Sequence, residues 1–280
     1  MAQGRRVAMA VAAHPDDIEF MMAGTLFLLK QAGYELHYLN VGNGSCGTAV
    51  HTREEIVRLR GAEAKTAAKL LGAVHHPSFV NDIDIFYEQD LLARVGAVVR
   101  KVNPTLLLVP SPDDYMEDHM NAGRLAVSAA FCRGMRNFPT TPRVKPVTDE
   151  VTICHALPYG LRDGMRRRIF PEYYVDITSV LAKKREMLAC HKSQKEWLDV
   201  SQGLDAYLTT MEEMSAEVGG LSGAFAYAEG WRRHSHLGFC SPEADPLAEA
   251  LAKRVKVNED YRRDLEGPRT RIPTTRRRAK

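Results

Sequence analysis

Residues 5–33 read RRVAMAVAAHPDDIEFMMAGTLFLLKQAG, and the change of period inside this stretch decides the fold. From Arg6 to Ala13 the chain is a short apolar run ended by Pro15, too short for a helix, which predicts a strand buried on both faces of a parallel sheet. From Ile18 to Ala32 the apolar residues Ile18, Met21, Met22, Leu26 and Leu29 recur at helical spacing, and Gly33 supplies the stop. Strand one therefore ends at His14-Pro15-Asp16-Asp17, directly before a helix.

Working outward, Leu36–Val41 is a second strand, and Gly42–Thr52 is a loop. Thr52 with Glu55 forms a capping-box pattern for a helix running to about Gly72. Leu91–Val102 is a helix stopped by Asn103-Pro104, Thr105–Val109 is another buried strand ended by Pro110, and Met120–Phe131 is helical. Strands and helices alternating at these lengths predict right-handed βαβ crossovers in an α/β fold, its mostly parallel sheet covered by helices on both faces. In the second half the expectations are strands at Val151–Leu157 and Tyr173–Ile177, helices at Ser179–Cys190 and Leu204–Glu217, a charged surface helix over Leu247–Asp264, and a long loop at Phe138–Pro146. No repeat, low-complexity segment or linker divides the chain, so one domain is expected over 1–267, followed by a basic tail at 268–280.

The 280 residues are 45% hydrophobic and 26% charged, an ordinary globular composition. A fold of this size buries roughly three quarters of the surface of its unfolded chain, so its stability needs neither disulfides nor a structural metal. The net charge of +3 misleads, because Arg269, Arg271, Arg276, Arg277, Arg278 and Lys280 in the tail face no acid. The remaining 32 basic and 35 acidic residues leave the body at −3, which argues against nucleic-acid binding by the folded part. Five cysteines at irregular spacing, with no CxxC pair, read as reduced thiols of a cytoplasmic protein. No apolar stretch approaches 18 residues, so no membrane span is expected.

Two polar clusters stand at the carboxyl ends of predicted buried strands, where open α/β sheets place their ligands. One is His14-Pro15-Asp16-Asp17 and the other is Asp113-Asp114-Tyr115-Met116-Glu117-Asp118-His119. Imidazole and carboxylate suit zinc, and a catalytic zinc takes three protein ligands, so two from the first cluster and one from the second would complete the set. Adjacent side chains diverge, so one of Asp16 and Asp17 can hold a metal while the other takes a proton from water, a hydrolytic arrangement. The plainer alternative is that Asp16 caps the following helix and His14 is a satisfied strand-end histidine. A nucleotide site is disfavoured, because the turn after strand one is acidic and lacks GxGxxG.

Ala13-His14-Pro15-Asp16-Asp17-Ile18-Glu19, Gly24-Thr25-Leu26 and the Asp118-His119 pair closely resemble the LmbE-like (PIG-L) zinc-dependent N-deacetylases. Further echoes are Arg60-x-x-Glu63, Leu71-Gly72, Asn81-Asp82, Tyr174-Val175-Asp176-Ile177 and His191-Lys192-Ser193-Gln194, so the resemblance covers about residues 5–195. It implies a Rossmann-like fold and a Zn2+ ion held by His14, Asp17 and His119. It also implies Asp16 as general base, Asp118 as partner of a ligand histidine, and Arg60 and Asp82 as sugar contacts. Read without the resemblance, Arg60 could be a solvated helix residue, Asp82 a turn former beside Asn81, and His191 a helix-end histidine. His75, His76, His234 and His236 are read as surface or core histidines.

The implied activity is hydrolysis of an N-acyl, chiefly N-acetyl, group from an amino sugar or its conjugate. Alternatives are an amidase acting on thiol-sugar conjugates and a metal-dependent sugar-binding protein without catalysis; a homo-oligomer is left open. One departure is visible: the family's second motif commonly reads His-Pro-Asp-His, and its first histidine position is here Met116. A thioether has no ionisable proton, so the acid half of the reaction loses that imidazole.

Overall fold

The computed structural model describes residues 5–194 and 206–267. The expected tail at 268–280 and the first residues of the helix expected from Leu204 lie outside the described residues. Eight strands form one sheet: β1 (Val7–Ala12), β2 (Glu35–Asn40), β3 (Val74–His76), β4 (Leu106–Val109), β5 (Thr152–Ala156), β6 (Tyr173–Asp176), β7 (Ala228–Arg233) and β8 (Val255–Val257). The helices are α1 (Asp17–Met21), α2 (Ala23–Gln31), α3 (Arg53–Leu71), α4 (Gln89–Val102), α5 (Glu117–Phe131), α6 (Leu181–Leu188), α7 (Ala206–Ser222), α8 (Pro246–Leu251) and α9 (Glu259–Glu266).

Strand order is β3-β2-β1-β4-β5-β7-β6-β8. The first five strands run parallel, with Ala10 of β1 opposite Tyr38 of β2 and Leu108 of β4. β7 is antiparallel to both β5 and β6, and β8 is antiparallel to β6, so the sheet is mostly parallel, as expected. Strand period sorts β1 onto two cores. Ala8, Ala10 and Ala12 face Leu26 and Leu29 of α2 and Ala64, Ala67 and Ala68 of α3, whereas Met9 and Val11 face Val95 and Val99 of α4 and Leu125 of α5. With β2 on one side of β1 and β4 on the other, the chain reverses direction across the sheet here, which opens a crevice beyond the carboxyl ends of β1 and β4. The capping box is present: Glu55 N donates to Thr52 Oγ1 at 3.3 Å and Thr52 N to Glu55 Oε2 at 3.0 Å.

Three expectations need correction. The helix expected over Ile18–Ala32 divides at Met22, because buried Glu229 of β7 accepts from the amides of Gly24 and Thr25 at 2.8 and 2.7 Å and so starts a new helix. The same carboxylate takes Lys184 Nζ at 2.7 Å. The Leu247–Asp264 helix is broken instead, since Val255-Lys256-Val257 pairs with β6 as β8 and Asn258 then caps α9 through a bond from Tyr261 N. β3 and β7 were not anticipated. β3 has only three residues, and the sequence of β7, AEGWRR, carries a glycine and three charges that only pairing to two neighbours makes into a strand.

Beneath the crevice, the buried His155 donates from Nδ1 to the Pro110 carbonyl at 2.8 Å, and its Nε2 lies 3.0 Å from His234 Nδ1. Burial is the main cause, aided by His234 and Arg232, that lowers the His155 pKa from 6.5 to about 4. The unfolded chain therefore takes up a proton below pH 6.5 that the folded chain refuses. Stability from this residue is complete above that pH and falls as pH drops towards 4, by about 3 kcal/mol in all. Thermal melts from pH 7 to 4.5 are expected to show a steeper decline in Tm for the parent than for His155→Gln; equal slopes would remove His155 from the account.

Candidate metal centre and its cavity

The loop after β1 turns sharply. Asp16 has φ of 112°, in the left-handed region, which swings the Asp16 and Asp17 side chains apart. Asp17 begins α1 and faces both histidines, while Asp118 and His119 lie buried in the first turn of α5, brought in from β4. One ligand atom each from His14, Asp17 and His119 can be chosen so that all lie within 4.8 Å of one another, and no other such group of histidine, cysteine and acidic side chains occurs among the described residues. The three residues therefore meet although 102 positions separate Asp17 from His119.

Each histidine has one nitrogen already committed. His14 Nε2 lies 2.8 Å from Asp118 Oδ2, leaving Nδ1 toward Asp17 at 3.7 Å. His119 Nδ1 lies 3.0 Å from Asp114 Oδ1, leaving Nε2 3.4 Å from Asp17 Oδ1. A carboxylate behind each imidazole sets the tautomer and the ring orientation that a metal needs. Asp118 was anticipated in this role and Asp114 was not. Two adjacent acids at 113 and 114 look alike in sequence, and only the structure shows Asp114 buried and Asp113 exposed. Burial alone would lower the His119 pKa, but Asp17 and Asp114 override it and raise it to about 9. The His14 pKa rises too, against burial, through Asp118, Asp17 and Asp82. So much negative charge around two imidazoles fits a cation, and the two carboxylates behind the rings support the fit. Asp118→Asn and Asp114→Asn are each expected to weaken metal affinity by about 10- to 100-fold, measured by competition with a chelating dye. An unchanged affinity in both variants would sink this account of the site.

Asp16 points elsewhere. Tyr207 of α7 donates its hydroxyl to Asp16 Oδ2 at 2.7 Å, and Arg60 Nη2 stands 3.3 Å from Oδ1. Burial raises the Asp16 pKa, and Arg60 pulls against it. Tyr207 was missed, since nothing local marks a tyrosine 191 positions downstream as a partner. Arg60 is buried rather than solvated; it donates to the Pro15 carbonyl, and its side chain lies so close to Gly44 and Gly47 that a Cβ on either would collide with it. Asp82 accepts from Gly44 N at 2.7 Å and Cys46 N at 2.9 Å, so it shapes that loop while lining the site. His191 is wholly buried, its Nε2 3.0 Å from Glu19 Oε1, and it is not among the residues lining the cavity. His37 with His76 and His155 with His234 form two paired sets away from the centre.

A cavity of about 450 Å³ opens above these groups, lined by His14, Asp16, Asp17, Arg60, Asp114 and His119 together with aromatic and aliphatic side chains. Met116 is on its wall. Among the described residues Arg60 is the one cationic lining side chain other than the histidines, and it is paired to Asp16. No helix of the described residues is long and apolar enough to cross a membrane, and all five cysteines are free thiols.

The family model described as PIG-L, GlcNAc-PI de-N-acetylase, matches residues 9–130, which contain both polar clusters. The chain is 29% identical over 232 residues to diacetylchitobiose deacetylase of Thermococcus kodakarensis, covering 80% of this chain and 81% of that protein. It is also 26% identical over 199 residues to 4-oxalmesaconate hydratase of Pseudomonas putida, covering 68% of this chain and 75% of that one. The solved structure of N,N'-diacetylchitobiose deacetylase from Pyrococcus horikoshii superposes with a TM-score of 0.70 at 23% identity, covering 86% of this chain and 89% of that chain, and shares the fold.

Proposed function

We propose, for a chain whose residues 9–130 are a PIG-L (LmbE-like) family domain, that it is a metal-dependent amide hydrolase removing an N-acyl group from an amino sugar or its conjugate. The observation that carries this reading is the His14, Asp17 and His119 group beside the half-buried carboxylate of Asp16, which faces Tyr207 and Arg60, all lining one cavity. The donor set suits zinc, which when bound would polarise the scissile carbonyl and acidify the attacking water. Asp16 takes the proton of that water as it adds to the carbonyl carbon, and returns it to the departing nitrogen. Tyr207 and Arg60 hold its two oxygens in place for both transfers. Met116 can neither give nor take a proton, which leaves both steps to the one carboxylate. Arg60 and Asp82 form the sugar-facing wall, Asp82 acting through the loop whose amides it holds.

The likeness to a hydratase supplies a second reading, addition of water to a carbon–carbon double bond. A substrate carrying several carboxylates would meet Asp16, Asp17, Asp82 and Asp114, and besides the metal the cavity offers, among the described residues, only the paired Arg60 and its histidines as cationic partners. An uncharged amide fits that balance better. The test is product analysis after incubating zinc-loaded protein with N-acetylated sugars and their conjugates. Release of a free amine with one carboxylate per turnover is expected; no amine from any of them, with hydration of a carboxylated diene, would overturn the reading.

A further inference from the structure

The walls of the cavity differ in chemistry. On the side of α3 and the loop after β2, Cys46, Gly47, Arg60, Asp82 and Gln194 offer polar atoms. On the side of α1, the end of β5 and α7 stand Phe20, Met21, Leu157, Tyr159 and Tyr207, and Met116 adds a thioether to the lining. Phe20 meets Tyr159 and Tyr207 edge-on, with centroids 5.4 and 5.1 Å apart, so these rings support one another as a fixed surface. The Tyr207 hydroxyl is already given to Asp16, so apart from the Tyr159 hydroxyl the wall presents ring faces and aliphatic groups. With the Tyr159 phenol as its one hydroxyl to spare, most sugar hydroxyls placed against it would go unpaired, each costing about tenfold or more in affinity. The sugar therefore belongs to the polar wall, and the apolar wall remains for the other half of the amide.

Size points the same way. The cavity of about 450 Å³ has to take the sugar as well, but an acetyl methyl would cover only a small part of a wall built from Phe20, Met21, Leu157, Tyr159 and Tyr207. Behind the apolar wall lies a second space of about 10 Å³, which shares Phe20, Met21 and Leu157 with the main cavity and continues toward Met214 and Val218. Met21 is only half-buried, and an unbranched thioether can shift to join the two spaces.

We propose that this wall is an acyl pocket and that the preferred substrate is an amino sugar bearing a medium-length aliphatic or small aromatic N-acyl group rather than N-acetyl. The proposal rests on the amide-hydrolase reading. The water oxygen bonds to the carbonyl carbon, the C–N bond breaks, the nitrogen leaves as the free amine with the transferred proton, and the acyl group leaves as its carboxylate.

The experiment uses the full chain loaded with zinc and a series of glucosamines carrying N-acetyl, N-butyryl, N-hexanoyl and N-benzoyl groups. Each buried methylene is worth about fourfold, so kcat/KM for N-hexanoyl should exceed that for N-acetyl by at least about tenfold. The ratio should collapse toward one in Tyr159→Ala, a rim position 36% exposed, where truncation leaves the core intact. Calorimetric binding of the same series to zinc-loaded Asp16→Asn separates the two claims. Tighter binding of N-hexanoyl without hydrolysis by the parent would leave the pocket standing and sink the hydrolase reading. Hydrolysis of N-acetyl as fast as N-hexanoyl would overturn the pocket and leave hydrolysis standing. Neither binding nor turnover across the series would overturn both.

Discussion

Zinc content close to one per chain is expected to fall below about a tenth in His119→Ala, with kcat/KM lowered by about three orders of magnitude, the scale of several kcal/mol of lost charge stabilisation. His119 is 7% exposed, and its two nitrogens lie against Asp114 and Asp17, so its loss removes a ligand atom and leaves two carboxylates facing each other. A zinc ion held by His14, Asp17 and His119 would keep its place through three protein groups, and two of them would not retain it against a chelator of moderate strength. Elemental analysis reads occupancy, and melting beside the metal-free parent shows whether the fold survives. The variant is expected to keep one cooperative transition but to melt below the metal-free parent, which still holds the His119 imidazolium between Asp17 and Asp114. Full zinc occupancy in His119→Ala would remove this residue from the ligand set.

Asp16→Asn is expected to do the reverse: zinc stays, and kcat falls by about two to four orders of magnitude with little change in KM. The substitution suits the site. Asparagine tolerates the left-handed backbone that Asp16 adopts, and its amide oxygen can still accept from Tyr207. What it cannot do is hold a proton between water and the leaving nitrogen. Loss of zinc from Asp16→Asn, with retention in Asp17→Asn, would exchange the two roles. The geometry argues against that exchange, since Asp17 Oδ1 and Oδ2 stand 3.4 and 3.7 Å from the histidines, whereas the Asp16 oxygens face Tyr207 and Arg60.

Much of this site was legible because its chemistry is local. His14, Asp16 and Asp17 are consecutive or nearly so, and the strand before them and the helix after them are strongly patterned. Asp118-His119 could be joined to them because both clusters follow buried strands of one sheet. Asp114 escaped notice among four nearby acids, since nothing in the string distinguishes the carboxylate that turns inward. The two wall chemistries were equally hidden: Phe20, Leu157, Tyr159 and Tyr207 come from distant segments and read singly as ordinary core residues.

The sequence by itself determined the elements whose signals are complete within one segment. They are the β1 run apolar on both faces, the capping box at Thr52, and the strand ends that carry ligand-type residues to one edge of a parallel sheet. Only the tertiary structure decided the rest. β7 is a strand because β5 and β6 flank it, α2 starts where Glu229 meets its amides 205 positions away, and the 247–264 segment breaks because β6 offers Val255–Val257 a pairing partner. Asp16 is oriented by a phenol from α7. The physical reason is one of range: periodicity and capping are satisfied by neighbours within a turn or two, whereas a buried carboxylate or an edge strand finds its hydrogen-bond partner only after distant chain has been brought beside it.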